Sequence, residues 1–337
     1  MVSPAIPYPL AVNLAPGTEV YALALDIVVI GIVLAALALG ISKALNSRKL
    51  WAWGAEELGQ ALINAAILGI LVAWGAGVGA ALGAALPAQM LSACPQGASS
   101  ANAPLAYDQC VLNGTVGTMQ KMQMALVDDS FKLGMLSKMT VNLNVLSATP
   151  FDAMSGPAAQ YADWAGQVSS LQALVEAHRQ LLSVIGAYAF SLFLPLGLLL
   201  RMFFATRKLG GALLAGAVGF FVVYPLAYAS LANLAMVDGA ADGALAGLNT
   251  MSLTLAPLPQ FDWDKSGDMA RLVMNLSGKN LSSQAAMPYG SMPAFLGALS
   301  LHAIVYPLIA LAITLVSVWE MSALLGREMF FEVLKEA

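Results

Sequence analysis

Residues 21–41 read YALALDIVVIGIVLAALALGI, a run whose single charge is Asp26. An α-helix needs about 20 largely apolar residues to cross the hydrocarbon core of a bilayer, and this run has that length. Four more runs share its character. Ala61 to Leu86 carries no charge, Leu181 to Leu200 is bracketed by Arg179 and Arg201, Leu209 to Val237 lies between Lys208 and Asp238, and Ala294 to Trp319 ends at Glu320. The 337-residue chain is 59% hydrophobic and 10% charged, against roughly 25% charged in soluble domains. Each charge at mid-bilayer costs about 2.5–3.5 kcal/mol on insertion scales, so the charge deficit is what residence in lipid demands. The expected fold is all-α: a polytopic membrane helix bundle of about five transmembrane helices with helical extracytoplasmic loops. The net charge of -4 gives no sign of a basic nucleic-acid-binding surface.

The first run is expected to stay in the mature protein. Residues 1–20 contain no Lys or Arg, so the basic n-region of a signal peptide is missing, and the apolar stretch is longer than an h-region. Orientation follows from the basic residues. Lys43, Arg48 and Lys49 follow the first run, Arg201, Arg207 and Lys208 the third, and Arg327 and Lys335 the fifth. The positive-inside rule then places the N-terminus outside and the C-terminus in the cytoplasm. The resulting order is an extracytoplasmic segment 1–20, transmembrane helices 1–2 in 21–87, and an extracytoplasmic helical loop 88–179. Transmembrane helices 3–4 follow in 180–237, a second extracytoplasmic loop in 238–293, transmembrane helix 5 in 294–326 and a cytoplasmic tail in 327–337.

Two further features agree with that orientation. Cys94 and Cys110, the only cysteines, fall in one outside loop, where a disulfide would close a loop worth roughly 3 kcal/mol in the chain-entropy model. The Asn-x-Ser/Thr sequons at Asn113, Asn275 and Asn280 also fall on the outside and are possible N-glycosylation sites. Within the first outside loop, Met119, Met122 and Leu126, then Phe131, Met135 and Met139, recur near helical spacing. They predict an amphipathic helix or helical hairpin broken around Gly134, packed against the protein's own loops in preference to a partner or lipid. Residues 158–179 read as a helix that extends the third span.

Polar groups inside the apolar runs need partners or a route to water. Asp26 either snorkels to the outer interface, or lines a polar path or pairs with another helix. His302 is expected to hydrogen-bond a neighbouring helix, and Glu320 to mark the cytoplasmic interface or pair with a basic residue of 201–208. Gly75, Gly79 and Gly83, and again Gly211, Ala215 and Gly219, form small-xxx-small stripes that let helix backbones approach closely. Pro195, Pro225 and Pro307 fall within spans, where neighbours must satisfy the freed carbonyls. No HExxH, Walker A or GxSxG pattern occurs, and two histidines and two cysteines leave little for a metal site. No catalytic, cofactor-binding or metal residue is expected, so the chain is read as a non-enzyme.

Residues 201–225, RMFFATRKLGGALLAGAVGFFVVYP, and the C-terminal WEMSALLGREM carry a family resemblance. An Arg at a helix end, then TRKLGG, then a Gly-containing span interrupted by proline resembles the CedA-type membrane proteins of archaeal DNA import. These in turn look like the TrbL-type inner-membrane channel component of type IV secretion systems. The resemblance implies a channel or scaffold subunit of a DNA-transfer machine, working with a separate hexameric ATPase and small pilin-like subunits as a homo-oligomer in the bilayer. It also implies that Arg201, Arg207 and Lys208 sit at the cytoplasmic mouth, where they meet phosphate or the ATPase. The outside loops are net acidic, with six acidic to four basic residues from Asp108 to Arg179, which does not suit capture of DNA there. The alternatives are a structural platform for a pilus or surface assembly, and a small-solute transporter.

Overall fold

The computed structural model describes residues 18–85, 103–143, 146–203, 206–232, 237–256 and 281–326, with Arg271, Met274 and Leu276. They are helical apart from one two-stranded antiparallel hairpin and short turns. The helices are α1 (Thr18–Ala44), α2 (Arg48–Ala85), α3 (Ala103–Ser137), α4 (Ser155–Tyr188), α5 (Leu194–Arg201), α6 (Arg207–Val218), α7 (Tyr224–Ala232), α8 (Val237–Leu255), α9 (Leu281–Ala286), α10 (Pro288–Ser300) and α11 (Tyr306–Gly326). The hairpin pairs β1 (Val141–Leu143) with β2 (Leu146–Ala148).

Among the described residues, four stretches are long and apolar enough to cross a membrane: Tyr21–Ala44, Asp152–Arg201, Arg207–Ala232 and Ser283–Leu325. The remaining expected run, the second, from Ala61 to Leu86, begins within α2 and ends just outside the described residues. The chain forms two compact units. The first comprises 1–111, 180–230 and 308–337, the second 112–179 and 231–307.

In the first unit α1 and α2 form an antiparallel hairpin. Asn46 adopts a left-handed φ of 51° at the position after the helix end, where Asn and Gly are favoured. The amide of Ser47 then donates to the Ser42 carbonyl at 3.0 Å and that of Leu45 to Ile41 at 2.9 Å, satisfying the last carbonyls of α1. Gly54 lets α2 lie against Leu39, whose side chain is 3.1 Å from where a Cβ would stand. Further along, Gly31 faces Ala61, and the same spot receives Met202 from the α5–α6 turn. That turn therefore meets α1 fifteen residues before Asn46, so the α1–α2 tip projects about 20 Å past it at 1.5 Å per residue.

Three prolines shape the other long helices in one way. Each of the π-turns Ala189–Phe193, Gly219–Val223 and Leu301–Val305 ends two residues before Pro195, Pro225 or Pro307. A proline ring clashes with the carbonyl four residues back and removes one N–H. Those carbonyls belong to Ser191, Phe221 and Ala303, each inside its π-turn, whose wider i→i−5 bonding absorbs the clash. The helices are thus bulged and continue beyond the proline. The first two π-turns meet through Phe190 and Phe221, ring centroids 4.2 Å apart and edge to face.

In the second unit α3 and α4 run antiparallel. Arg179 Nη1 donates to Asn113 Oδ1 at 2.9 Å, while Glu176 also binds Arg179. Buried residues of α3, whose first nine residues belong to the first unit, recur at heptad spacing as Leu105, Asp108, Leu112, then Met119, Met122, Leu126, Asp129, Leu133 and Leu136, with Tyr107, Val116 and Ser137 buried beside them. The buried residues of α4 include Tyr161, Trp164, Val168, Val175 and His178, and in the first unit Leu182 and Ile185. Contrary to the expected break, α3 runs through Gly134 to Ser137, since one helical Gly costs only about 1 kcal/mol. Of the six residues predicted to share its apolar face, Phe131 is 63% exposed and Met135 partly so, whereas Leu133 and Leu136 are buried. Elsewhere in this unit α10 packs on α8 and Trp164 contacts Tyr289 edge to face. Tyr161 Oη donates to the Ala285 carbonyl at 2.9 Å, and Thr254 Oγ1 to Gln284 Oε1 at 2.7 Å.

Candidate functional site

The most chemically distinctive place in the first unit is where α2 meets the start of α6. Glu56 and Glu57 are consecutive on α2, and Arg207 opens α6. Arg207 donates through Nη1 to Glu56 Oε1 at 2.9 Å and through Nη2 to Glu57 Oε1 at 3.0 Å. Its side chain is 4% exposed and those of Glu56 and Glu57 15% and 12%. A planar guanidinium suits such forked binding. The pair lies about nine residues past the α1–α2 turn, roughly 15 Å along α2.

Arg201 and Arg207, which the family resemblance implied at the cytoplasmic mouth, are buried. Arg201 is buried, and its Nε and Nη1 have no hydrogen-bond partner among the described residues. Lys208 alone of the three is exposed. A cluster of three exposed basic residues stands at the α1–α2 tip, where Lys43, Arg48 and Lys49 lie beside Trp51.

The other predicted residues fall as follows. Asp26 is exposed on α1 among the exposed Leu25, Val29 and Ile30, and Glu320 is exposed beside Trp319 on α11. His302 is buried, its ring 5.0 Å from that of Tyr306. Cys110 is disulfide-bonded, and Cys94, the other cysteine of the chain, lies outside the described residues. Asn113 sits exposed on α3 with Oδ1 taken by Arg179; Asn275 and Asn280 lie outside the described residues. Gly211, Ala215 and Gly219 are buried along α6. A Cβ on Gly219 would stand 2.2 Å from Val318 Cγ2. Gly75, Gly79 and Gly83 lie on α2, with no side-chain surroundings described. A close backbone-to-backbone crossing that the small-residue stripes do not include is Gly210 against Gly197 and Arg201.

Two carboxylates were also passed over. Asp108 and Asp129 are fully buried on the heptad seam of α3, and neither carboxylate has a hydrogen-bond partner among the described residues. Burial holds Asp108 well above the usual carboxylate range. Burial, with a smaller push from Asp128 and an opposing pull from Lys132, raises Asp129 to about 7. Between pH 4 and 7 the unfolded chain has lost this proton and the folded chain keeps it, so stability falls as pH rises. The slope from Asp129 is about 1.4 kcal/mol per pH unit. Asp129→Asn is expected to remove that slope and to be the more stable form at pH 8. Unfolding of the detergent-solubilised protein across pH 4–8 checks this; parallel curves for the two proteins would refute it.

No group of three or more His, Cys, Asp or Glu that could hold a metal occurs among the described residues. Comparison with protein-family models, curated proteins and solved structures gives no match.

Proposed function

We propose that the chain is a multi-pass membrane protein with five spans, its N-terminus outside and its C-terminus cytoplasmic, acting as a channel or scaffold subunit of a DNA-transfer machine. The observation that carries this reading is the α1–α2 hairpin. Its flanks expose Leu23, Val29, Val33, Leu37 and Ile41, a surface suited to lipid, and its tip exposes Lys43, Arg48 and Lys49 beside Trp51. Basic residues at a cytoplasmic end and Trp at an interface are the signature of a membrane boundary. The buried Arg207–Glu56–Glu57 cluster fits the same reading, since charges within a membrane bundle face the protein interior and are paired.

The tip is then the surface that meets a separate hexameric ATPase or the phosphates of DNA. The resemblance of residues 201–225 to the CedA and TrbL types supplies the cargo, together with small pilin-like partners and a homo-oligomeric assembly. The net acidic outside loops favour the second reading, a platform that anchors a pilus or surface assembly without conducting DNA.

Deleting the gene is expected to abolish DNA exchange between cells. The variant Lys43→Glu/Arg48→Glu/Lys49→Glu, matched for membrane level, should lower exchange at least about tenfold, as loss of several phosphate or carboxylate contacts would. Normal exchange in the deletion strain overturns the DNA reading; loss of surface filaments in that strain would then establish the platform.

A further inference from the structure

One turn along α2 from the ion pair, the first unit holds a small cavity of about 140 Å³. Its polar lining comes from one face of α2: Glu57, Gln60 and Asn64, with the indole of Trp53 at one end. The opposite wall is apolar, built from Gly31, Leu34 and Ala35 of α1, with Met202 and Phe203 of the α5–α6 turn. Gln60 and Asn64 are each 3% exposed, and Gln60 Oε1 and Asn64 Oδ1 have no hydrogen-bond partner among the described residues. Glu57 uses only Oε1 toward Arg207.

Buried amide oxygens without partners are rare, because each costs about 1–3 kcal/mol. They are retained where water or a ligand meets them. At three- and four-residue spacing the neighbouring side chains stand about 5–6 Å apart at Cβ, close enough for their oxygens to converge on one guest. Burial at 3% also rules out their use as hydrogen-bonding glue toward a second copy of the chain.

The chemistry of the lining selects the guest. Its acceptors are hard oxygens, one carboxylate and two amides, with no thiolate or imidazole, which suits a hard cation. Glu56, Glu57, Arg207 and the neighbouring buried Arg201 together carry two negative and two positive charges, so the cluster is neutral as a whole. A divalent ion would find only one carboxylate, already shared with Arg207, so a single positive charge is the most this lining accepts. The volume holds such an ion with a few waters, each occupying about 30 Å³.

We propose that the cavity between α1, α2 and the α5–α6 turn is a binding site for a small monovalent cation, with sodium as the reference ion, held by Glu57, Gln60 and Asn64. The site stands whether or not DNA is the cargo. Binding would tie α1 and α2 to the turn that carries Met202 and Phe203.

The test is thermal unfolding of the purified full-length chain in detergent, in sodium chloride against N-methyl-D-glucamine chloride at equal ionic strength. Sodium is expected to raise Tm saturably, by about 2–4 °C at tenfold above half-saturation. The variant Gln60→Leu/Asn64→Leu should lose this response. In the organic salt it should melt no lower than the wild type, since unsatisfied polar groups have been replaced by apolar ones. Equal wild-type Tm values in the two salts would leave the cavity to water and overturn the proposal. So would a sodium response that survives in the double variant. Should that variant not fold, equilibrium binding of radioactive sodium to the wild-type chain decides: saturable uptake of one ion per chain supports the site, and no saturable uptake refutes it.

Discussion

Arg207→Ala is expected to destabilise the first unit by about 3–5 kcal/mol, the usual cost of removing one partner from a buried ion pair. The loss exceeds that of any surface charge because of what remains. Glu56 and Glu57, nine-tenths buried or nearly so, would be left as adjacent carboxylates with no counter-charge. Arg207→Lys should recover only part of the stability, since an ammonium cannot reproduce the fork that engages both glutamates. The triple variant Arg207→Met/Glu56→Gln/Glu57→Gln should recover more than Arg207→Lys, because a buried ionic cluster replaced as a whole is often neutral. Thermal unfolding in detergent with monodispersity by size exclusion reads all three. If Arg207→Ala melts within a degree of the wild type, the pair contributes nothing and the α2–α6 junction is held by apolar packing alone.

This cluster shows why part of the molecule was legible in the sequence and part was not. The apolar runs announce their helices, because composition at helix length is sufficient evidence. Partners across 150 residues leave no such mark. Arg207 next to Lys208 looks like an ordinary positive-inside flank, and Glu56–Glu57 looks like the edge of the second span, which is why that span was read as starting at Ala61. Only the projection of the α1–α2 tip past the α5–α6 turn brings the two flanks to one depth. The heptad of α3 was hidden in a similar way. Leu105, Leu112, Met119, Met122, Leu126, Leu133 and Leu136 form a regular seam only if Asp108 and Asp129 are admitted to it. A carboxylate reads as an exposed position, so the apolar spacing leads through Phe131 and Met135 instead. Core polar residues of this kind fix helix register at a cost in stability, and the pH dependence of Asp129 measures that cost.

Substitution at Gly210 is expected to have the second large effect. A Cβ there would stand 2.6 Å from the Arg201 amide nitrogen and 2.6 Å from the Gly197 carbonyl oxygen. Both obstacles are backbone, so no rotamer change relieves them, and α5 and α6 must move apart. Overpacking a core costs about 1–3 kcal/mol and sometimes more; Gly210→Val should fall at or above the top of that range. Gly219 makes a contrasting case. Its Cβ would meet Val318 Cγ2 at 2.2 Å, a side-chain atom, so Gly219→Ala should be damaging alone and largely rescued by Val318→Ala. Gly216, with nothing within 4 Å of its Cβ position, is the internal control. Gly216→Ala should be neutral or stabilising by up to about 1 kcal/mol through helix propensity. Unfolding midpoints of the four proteins in one detergent give the order. Gly210→Val should be lowest, Gly219→Ala next, and Gly219→Ala/Val318→Ala and Gly216→Ala near the wild type. If Gly216→Ala were as damaging as Gly210→Val, the close backbone crossing of α5 and α6 would not be what packs this unit. If Gly210→Val alone were lowest, the small residues of TRKLGG serve helix packing, and the resemblance they carry would reflect a shared way of crossing helices in lipid.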